Sequence, residues 1–170
     1  MPQPRPLSAR HALAVLAVFL TGLLNAPLAT RAETGLPLPR FVSLRSAEVN
    51  LRTGPGSTYP VDWVYLRRHM PVEVIAEFDN WRKIRDWQGT VGWVHQNLLD
   101  GRRYARIAGA DRVLLARPAA DSLPVALLRQ GVVAELLACE PQWCRLEAGG
   151  YRGWLPREAF WGAYPHETFD

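Results

Sequence analysis

The sequence predicts an all-β protein made of two small barrels in tandem, and three observations lead to this fold class. A tryptophan motif occurs twice, because Asn80-Trp81-Arg82-Lys83-Ile84 is matched 62 residues later by Gln142-Trp143-Cys144-Arg145-Leu146. Short apolar runs alternate with Gly, Pro, Asn and Asp turn residues, which is typical of short strands. Finally, no stretch after residue 32 sustains a helical period over ten residues.

The repeat extends beyond this motif. Gly92-Trp93-Val94 is matched by Gly153-Trp154-Leu155 after 61 residues, and Val49 and Leu51 are matched by Val113 and Leu115 after 64 residues. Small loop deletions account for the drift of three residues. We expect Val113 and Leu115 to point inward as Val49 and Leu51 do, because alternate residues of a strand share one face.

Five runs in the first copy have the composition of short strands. They are residues 48–52, 63–66, 71–77, 81–85 and 90–94, with turn residues between them. Five short strands in fewer than sixty residues indicate a closed or nearly closed barrel. The sequence therefore predicts one barrel over residues 42–100 and a second over 104–161, packed against each other and followed by a tail over 162–170.

Residues 1–32 have the pattern of a cleavable signal peptide. Arg5 and Arg10 precede an apolar run from Ala12 to Leu24, and Thr30-Arg31-Ala32 places small residues where a signal peptidase cuts. Thirteen apolar residues fall short of the ~20 that span a bilayer, so we expect no membrane span after cleavage. The remaining chain is expected to be periplasmic or secreted, in a compartment that permits disulfides.

The charge balance argues against nucleic acid as a partner. The chain has 20 Lys and Arg against 16 Asp and Glu, but three of the basic residues lie in the predicted signal peptide. The remainder holds 17 basic and 16 acidic residues, a net charge of +1. A nearly neutral domain lacks the basic surface that binds phosphate backbones.

Three motifs of the first copy, in order and spacing, resemble the bacterial SH3-like domain family. They are Val49-Asn50-Leu51-Arg52-Thr53-Gly54-Pro55-Gly56, Trp81-Arg82-Lys83-Ile84 and Gly92-Trp93-Val94. The resemblance covers nearly all of residues 42–100 and, more weakly, 104–161. It implies two SH3-like barrels, and a role as a targeting or binding module of cell-envelope proteins, often for peptidoglycan or its peptides.

The second copy departs from the pattern in its first strand and loop. By the 64-residue offset, Ala116 replaces Arg52, Leu114 replaces Asn50, and Pro118-Ala119-Ala120 replaces the Gly54-Pro55-Gly56 turn. A binding role that depends on these polar residues is therefore assigned to the first copy.

Asn50 and Arg52 flank Leu51, so both side chains leave the same face of the strand. In one interpretation, they present an amide and a guanidinium group to a ligand carboxylate or peptide bond. In the other, Asn50 bonds the turn backbone and Arg52 pairs with an acid such as Glu48 or Asp79.

Aromatic residues supply the other candidate ligand contacts, because a barrel of this size cannot bury all of them. Tyr59, Trp81 and Trp87 join Asn50 and Arg52 as candidate ligand-binding residues. Trp87 has no counterpart in the second copy. It has two possible interpretations, an exposed ligand contact or a contact between the barrels. Trp93 is expected in the core, since Trp154 has the same Gly-Trp-apolar setting.

Cys139 and Cys144 flank a predicted hairpin tip. By the 62-residue offset they are equivalent to Glu77 and Arg82 of the first copy. The same cross-strand position therefore carries two thiols in one repeat and a carboxylate with a guanidinium group in the other. We expect a disulfide between Cys139 and Cys144.

No enzymatic constellation emerges from the sequence. The four His residues have no metal-ligand spacing and no acid–base partners, and neither Cys has a neighbouring His, so no catalytic residue, metal or cofactor is predicted. The two copies also fill most of the chain after residue 32. The expected partner of this non-enzymatic module is a cell-wall peptide or glycan, and the alternative is a structural or assembly role with a periplasmic protein as partner.

Overall fold

The computed structural model describes residues 33–170, so the predicted signal peptide lies outside the described residues. The first barrel is one antiparallel sheet of seven strands in the order β3-β2-β6-β5-β4-β1-β7. The strands are β1 Arg40–Leu44, β2 Val49–Arg52, β3 Val61–Tyr65, β4 Pro71–Phe78, β5 Trp81–Arg85, β6 Val91–His95 and β7 Leu99–Asp100. A short 3-10 turn, Gln96–Leu98, connects β6 to β7.

The second barrel repeats this topology in the order β10-β9-β13-β12-β11-β8-β14. Its strands are β8 Tyr104–Ile107, β9 Arg112–Leu115, β10 Pro124–Leu128, β11 Val133–Cys139, β12 Trp143–Ala148, β13 Tyr151–Pro156 and β14 Phe160–Trp161. A 3-10 turn, Arg157–Ala159, precedes β14. The predicted all-β fold of two tandem barrels is confirmed.

The five strands expected in the first copy are present, with ends that differ by at most two residues. The sequence did not predict β1 and β7, which pair with each other at Ser43–Asp100 and Leu44–Leu99. β7 has only two residues, too few to show an alternating pattern. β1 lies at the predicted barrel boundary, and its pairing with β4 and β7 assigns it to the barrel.

Each barrel has its own core of alternating inward side chains. In the first barrel these include Leu44, Val49, Leu51, Val72, Val74, Ile84 and Val94. In the second they include Ile107, Leu114, Leu128, Leu136, Leu146 and Leu155. The outward residues of the same strands form the surfaces on which the candidate site is built.

The predicted alignment of β9 with β2 is wrong by one residue. Leu114 is fully buried, whereas Val113 is 46% exposed. Leu115 pairs with Trp154 as Arg52 pairs with Trp93. The offset is therefore 63, and the inward residue is Leu114. A shift of one residue in the alignment moves every inward side chain of a strand to the outward face. The burial of Leu114 therefore decides the alignment of β9, which the spacing of the repeat alone left ambiguous.

The expectation that Trp93 lies in the core is also wrong. Gly92 and Val94 are buried, and Trp93 between them is only partly buried on the opposite face of β6. Trp154 has the same environment between buried Gly153 and Leu155. The glycine and the aliphatic residue of the Gly-Trp-apolar motif therefore face the interior, because residues i and i+2 of a strand share a face.

The disulfide is confirmed. The Sγ atoms of Cys139 and Cys144 are 2.04 Å apart, and the two residues are directly paired between β11 and β12. Glu77 and Arg82 are paired in the same way between β4 and β5, and Arg82 Nε lies 3.3 Å from Glu77 Oε1. The repeat correctly placed a covalent bond and an ion pair at equivalent cross-strand positions.

The two barrels pack against each other. Arg67 Nη1 donates to the Gly131 carbonyl over 2.6 Å, and the His69 and Tyr104 rings stack with centroids 4.4 Å apart. The tail beyond Trp161 also reaches the first barrel, since the Tyr164 hydroxyl donates to Glu73 Oε1 over 2.8 Å. In the part of the chain that the structure describes, no helix is long and apolar enough to cross a membrane.

Candidate functional site

A cleft of about 260 Å³ lies on the outer face of the first barrel. It is lined by Asn50, Arg52, Ser57, Trp81, His95 and Leu98, and we refer to it as the first-barrel cleft. Three of the five residues predicted to bind a ligand, Asn50, Arg52 and Trp81, therefore meet at one place. Residues 57, 95 and 98 were not predicted, because they come from a loop, a strand end and a 3-10 turn that show no common sequence pattern.

Strand β2 positions the two polar residues of the cleft. Val49 and Leu51 are buried in the core, so Asn50 and Arg52 project from the opposite face, as the alternation predicted. Within residues 33–170, the Asn50 side chain has no hydrogen-bond partner. Its amide therefore keeps its donors and its acceptor for a ligand or for water.

Arg52 has a structural contact as well as a place in the cleft. Its Nη1 donates to the carbonyl oxygen of Tyr59 over 2.7 Å and so closes the loop between β2 and β3. The alternative in which Arg52 pairs with Glu48 or Asp79 is not found, and Asn50 does not hold the turn. One N–H of the guanidinium is thus committed, and the others remain free to bind an anion.

Tyr59 lies on the same loop, and its half-exposed ring covers the Gly54-Pro55-Gly56 turn. A Cβ atom on Gly54 would overlap the Tyr59 ring, so glycine at this position lets the ring lie directly on the turn. Tyr59 is not among the residues that line the cleft. Its role is to shape the loop that places Ser57 beside Arg52.

Trp81 and His95 form the opposite wall of the cleft. They are paired between β5 and β6, and their rings meet edge-to-face with centroids 5.4 Å apart. His95 Nδ1 accepts the backbone N–H of Asn97 over 3.3 Å, which leaves Nε2 as the nitrogen that carries a proton in the neutral ring. The cleft thus combines an aromatic surface with amide, guanidinium and imidazole groups.

Trp87 is not brought to this cleft. Its ring is 39% exposed and lies under the guanidinium group of Arg106, whose Cζ is 3.4 Å from the ring centroid. Arg106 belongs to β8 of the second barrel, so this cation–π contact connects the barrels. Of the two readings that the sequence left open for Trp87, the structure favours the contact between barrels.

The equivalent surface of the second barrel has a different chemistry. With the corrected offset, Val113 and Leu115 stand where the first barrel has Asn50 and Arg52. Trp143 remains in place of Trp81, but its cross-strand partner is Pro156 where the first barrel has His95. The guanidinium and amide groups of the first-barrel cleft therefore have no counterpart in the equivalent strand positions.

The fold and the motifs agree with the comparison to protein families. A family model described as bacterial SH3 domain matches residues 45–101 and 108–162. The chain belongs to this family, and both barrels are members of it.

No curated protein matches the chain significantly. Similar solved structures include NlpC2 from Trichomonas vaginalis, at 10% identity and a TM-score of 0.33, over 72% of this chain and 47% of that one. NlpC1 from the same organism matches at 12% identity and a TM-score of 0.34, over 82% of this chain and 51% of that one. An NlpC/P60 family protein from Bacillus cereus matches at 12% identity and a TM-score of 0.33, with coverages of 72% and 56%. The chain thus spans about half the length of these proteins.

Proposed function

We propose that this chain is a non-enzymatic binding module of the cell envelope that recognises peptidoglycan through its first-barrel cleft. The observation that carries the proposal is the meeting of Asn50, Arg52, Trp81 and His95 around one cleft on a bacterial SH3 domain. The second barrel lacks the polar pair, so we assign the ligand to the first barrel.

The chemistry of the cleft suits the peptide part of the wall. A carboxylate of the peptide binds the free N–H groups of Arg52, because a guanidinium group holds carboxylates with directed, charge-assisted hydrogen bonds. The unpartnered Asn50 amide pairs with a peptide group, which also offers one donor and one acceptor. Trp81 supplies an apolar surface for an aliphatic side chain or the face of a sugar ring.

Two observations support a location outside the cytoplasm. The chain holds a disulfide between Cys139 and Cys144, and such bonds persist in oxidising compartments. The second is the sequence pattern of residues 1–32, which predicts a signal peptide and so a route of export. We propose a periplasmic or secreted protein.

Co-sedimentation of the oxidised protein with purified sacculi over a salt series tests the proposal. We expect salt-resistant binding that Arg52→Ala weakens by about tenfold or more, since hydrogen bonds to charged groups contribute ~1.5–3 kcal/mol. We expect Asn50→Ala to weaken it by about fivefold, since a hydrogen bond between neutral groups contributes ~1 kcal/mol. Asn50→Ala is the cleaner variant, because Arg52 also closes the loop at Tyr59. Trp87→Ala is the matched control and is expected to bind as the wild type does. Binding that survives Asn50→Ala but is lost in Trp87→Ala would contradict the site.

The second candidate is a structural or assembly role with a periplasmic protein as partner. It is favoured by β3, an edge strand that leaves Val61, Trp63 and Val64 exposed, with Leu66 just beyond it. Exposed apolar edge strands pair with strands of other proteins. Absence of sacculus binding, together with a periplasmic crosslink from residue 63, would favour this candidate.

The non-enzymatic part of the proposal has its own test. Purified sacculi are incubated with the isolated protein, and released fragments are measured by chromatography. We expect no release above the buffer control, and turnover that persists after repurification would overturn this part.

A further inference from the structure

A larger groove of about 710 Å³ lies between the first barrel and the tail that docks on the second. We call it the inter-barrel groove. Its lining includes Leu36, Phe41, Leu99, Arg103, Glu167 and Phe169, and it shares no residue with the first-barrel cleft. Its volume is in the range of ligand sites, which occur preferentially between domains.

The groove has apolar walls and a surplus of positive charge. Arg40 and Arg82 both contact one carboxylate, that of Glu77, at 2.6 Å and 3.3 Å. Of the other charged residues in the lining, Arg103 pairs with Glu167, and Asp100 pairs with Arg102, which lies outside the lining. The guanidinium groups of Arg40 and Arg82 thus share one carboxylate, which leaves this cluster with a net charge of +1. A ligand with one negative charge balances this arrangement.

The floor of the groove also contains one strand residue, Phe41, whose backbone has no partner among the described strands on one side. The Leu44 N–H donates to the Met70 carbonyl, and the β1–β4 register pairs Val42 with Val72 and Arg40 with Val74. Alternate residues of β1 therefore bond β4, and the N–H and C=O of Phe41 point to the other side. There β7 pairs only with Ser43 and Leu44, so in the described chain no strand pairs with Phe41 on that side.

We propose that the inter-barrel groove binds an extended peptide with apolar side chains and a single carboxylate. The peptide backbone bonds the N–H and C=O of Phe41, as an added strand does. The next position on this side, Pro39, offers only its C=O. Its apolar side chains pack on Leu36, Leu99 and Phe169. Its carboxylate lies near Arg40, because the Nη atoms of Arg82 already donate to the carbonyl oxygens of Asp79 and Trp81 and to Gln96 Oε1. This site is separate from the first-barrel cleft and does not require the proposed sacculus binding.

The test uses two probes, acetyl-Val-Leu-Val-Leu with a free carboxylate and the same peptide as its C-terminal amide. Each is titrated into the oxidised, ¹⁵N-labelled protein, and amide shifts are followed by NMR. We expect the free acid to shift the amides of Phe41, Leu99 and Phe169, and to bind about tenfold more tightly than the amide form.

Leu36→Glu places a negative charge in the groove at a position that is 51% exposed, so the fold is retained. We expect it to weaken binding of the free acid about fivefold or more. Leu123→Glu, at a 76% exposed position outside the groove, is the matched control and leaves binding unchanged. Equal affinity of the two peptides, shifts confined to the first-barrel cleft, or no binding at millimolar peptide would overturn the proposal. Failure here leaves the Asn50 effect on sacculus binding untouched, so the two proposals are distinguished.

Discussion

Gly92 and Gly153 lie where two strands of each barrel cross closely. A Cβ atom on Gly92 would lie 2.5 Å from Leu51 Cγ and 2.9 Å from the Arg52 carbonyl oxygen. A Cβ atom on Gly153 would lie 2.7 Å from Leu114 Cγ and 2.6 Å from the Leu115 carbonyl oxygen. The glycine of the Gly-Trp-apolar motif therefore allows β6 to lie close against β2 in the first barrel, and β13 close against β9 in the second. In the first barrel, β2 carries the cleft residues Asn50 and Arg52.

Gly92→Ala is expected to lower the free energy of unfolding by about 1–3 kcal/mol, because the added methyl group meets a backbone oxygen as well as a side chain. Urea unfolding followed by tryptophan fluorescence measures this. Gly101→Ala is the control, since nothing lies within 4 Å of its Cβ position, and its effect should stay within about 0.5 kcal/mol. Equal unfolding midpoints for the two variants would contradict the steric argument.

At this scale the sequence could predict which residues recur but not which of them point inward. Val113 and Leu115 alternate just as Val49 and Leu51 do, yet Leu114 fills the core. Three adjacent apolar residues allow two registers, and only packing against Gly153 selects one.

Only some of the residues that line the first-barrel cleft could be predicted from the sequence. Asn50 and Arg52 share a strand, whereas His95 reaches them only through the pairing of β5 with β6.

The hairpin of β11 and β12 is closed by the disulfide at its tip. Replacing both cysteines by alanine is expected to lower the free energy of unfolding by roughly 2 kcal/mol, because the bond closes only a short loop in the unfolded chain. Denaturant unfolding with and without reducing agent provides the measurement and its control. The wild type should lose about this amount on reduction, and the double variant should not respond. Equal stability of the oxidised wild type and the double variant would contradict this.

The hairpin of β4 and β5 carries the ion pairs of Glu77 at the equivalent position. Burial acts to raise the pKa of Glu77, but hydrogen bonds from the Thr34 backbone and from the Thr34 and Arg40 side chains outweigh it and lower the pKa below its ordinary value of 4.5. The stabilisation is therefore complete above this value and is lost as the pH falls through the lower pKa of the folded state. Denaturant unfolding between about pH 3 and pH 7 should show a shallower acid decline in Glu77→Gln than in the wild type. Identical slopes would exclude this role.

At the scale of elements, the sequence predicted most of what is local and repeated. Alternation and turn residues located strands β2 to β6 of the first barrel, and the repeat placed Cys139–Cys144 and Glu77–Arg82 at equivalent positions. The short closing strands β7 and β14 could not be predicted, because two residues show no period. They form because each barrel offers them an edge next to β1 or β8.

At the scale of the whole molecule, the tail joins the barrels. Phe41 of β1 lies between Trp161 and Tyr164, with ring centroids 4.8 Å and 4.7 Å apart. The backbone of Phe169 pairs with Cys139 on the second barrel, while the Tyr164 hydroxyl donates to Glu73 on the first. The sequence did not predict these contacts, because the tail has no counterpart in the repeat and its partners are remote along the chain.

Deleting residues 162–170 is expected to separate the unfolding of the two barrels. The tail supplies the Tyr164 contacts with Phe41 and Glu73 and the Glu167 carboxylate that pairs with Arg103, so its loss leaves a smaller interface between two independent cores. Calorimetry of the oxidised wild type should show one transition, with equal calorimetric and van't Hoff enthalpies, and the truncated chain should show two. Arg67→Ala is the control, because it removes one hydrogen bond between the barrels and leaves the tail intact. A single two-state transition in the truncated chain would mean that the remaining contacts, among them His69 with Tyr104 and Trp87 with Arg106, suffice to couple the barrels.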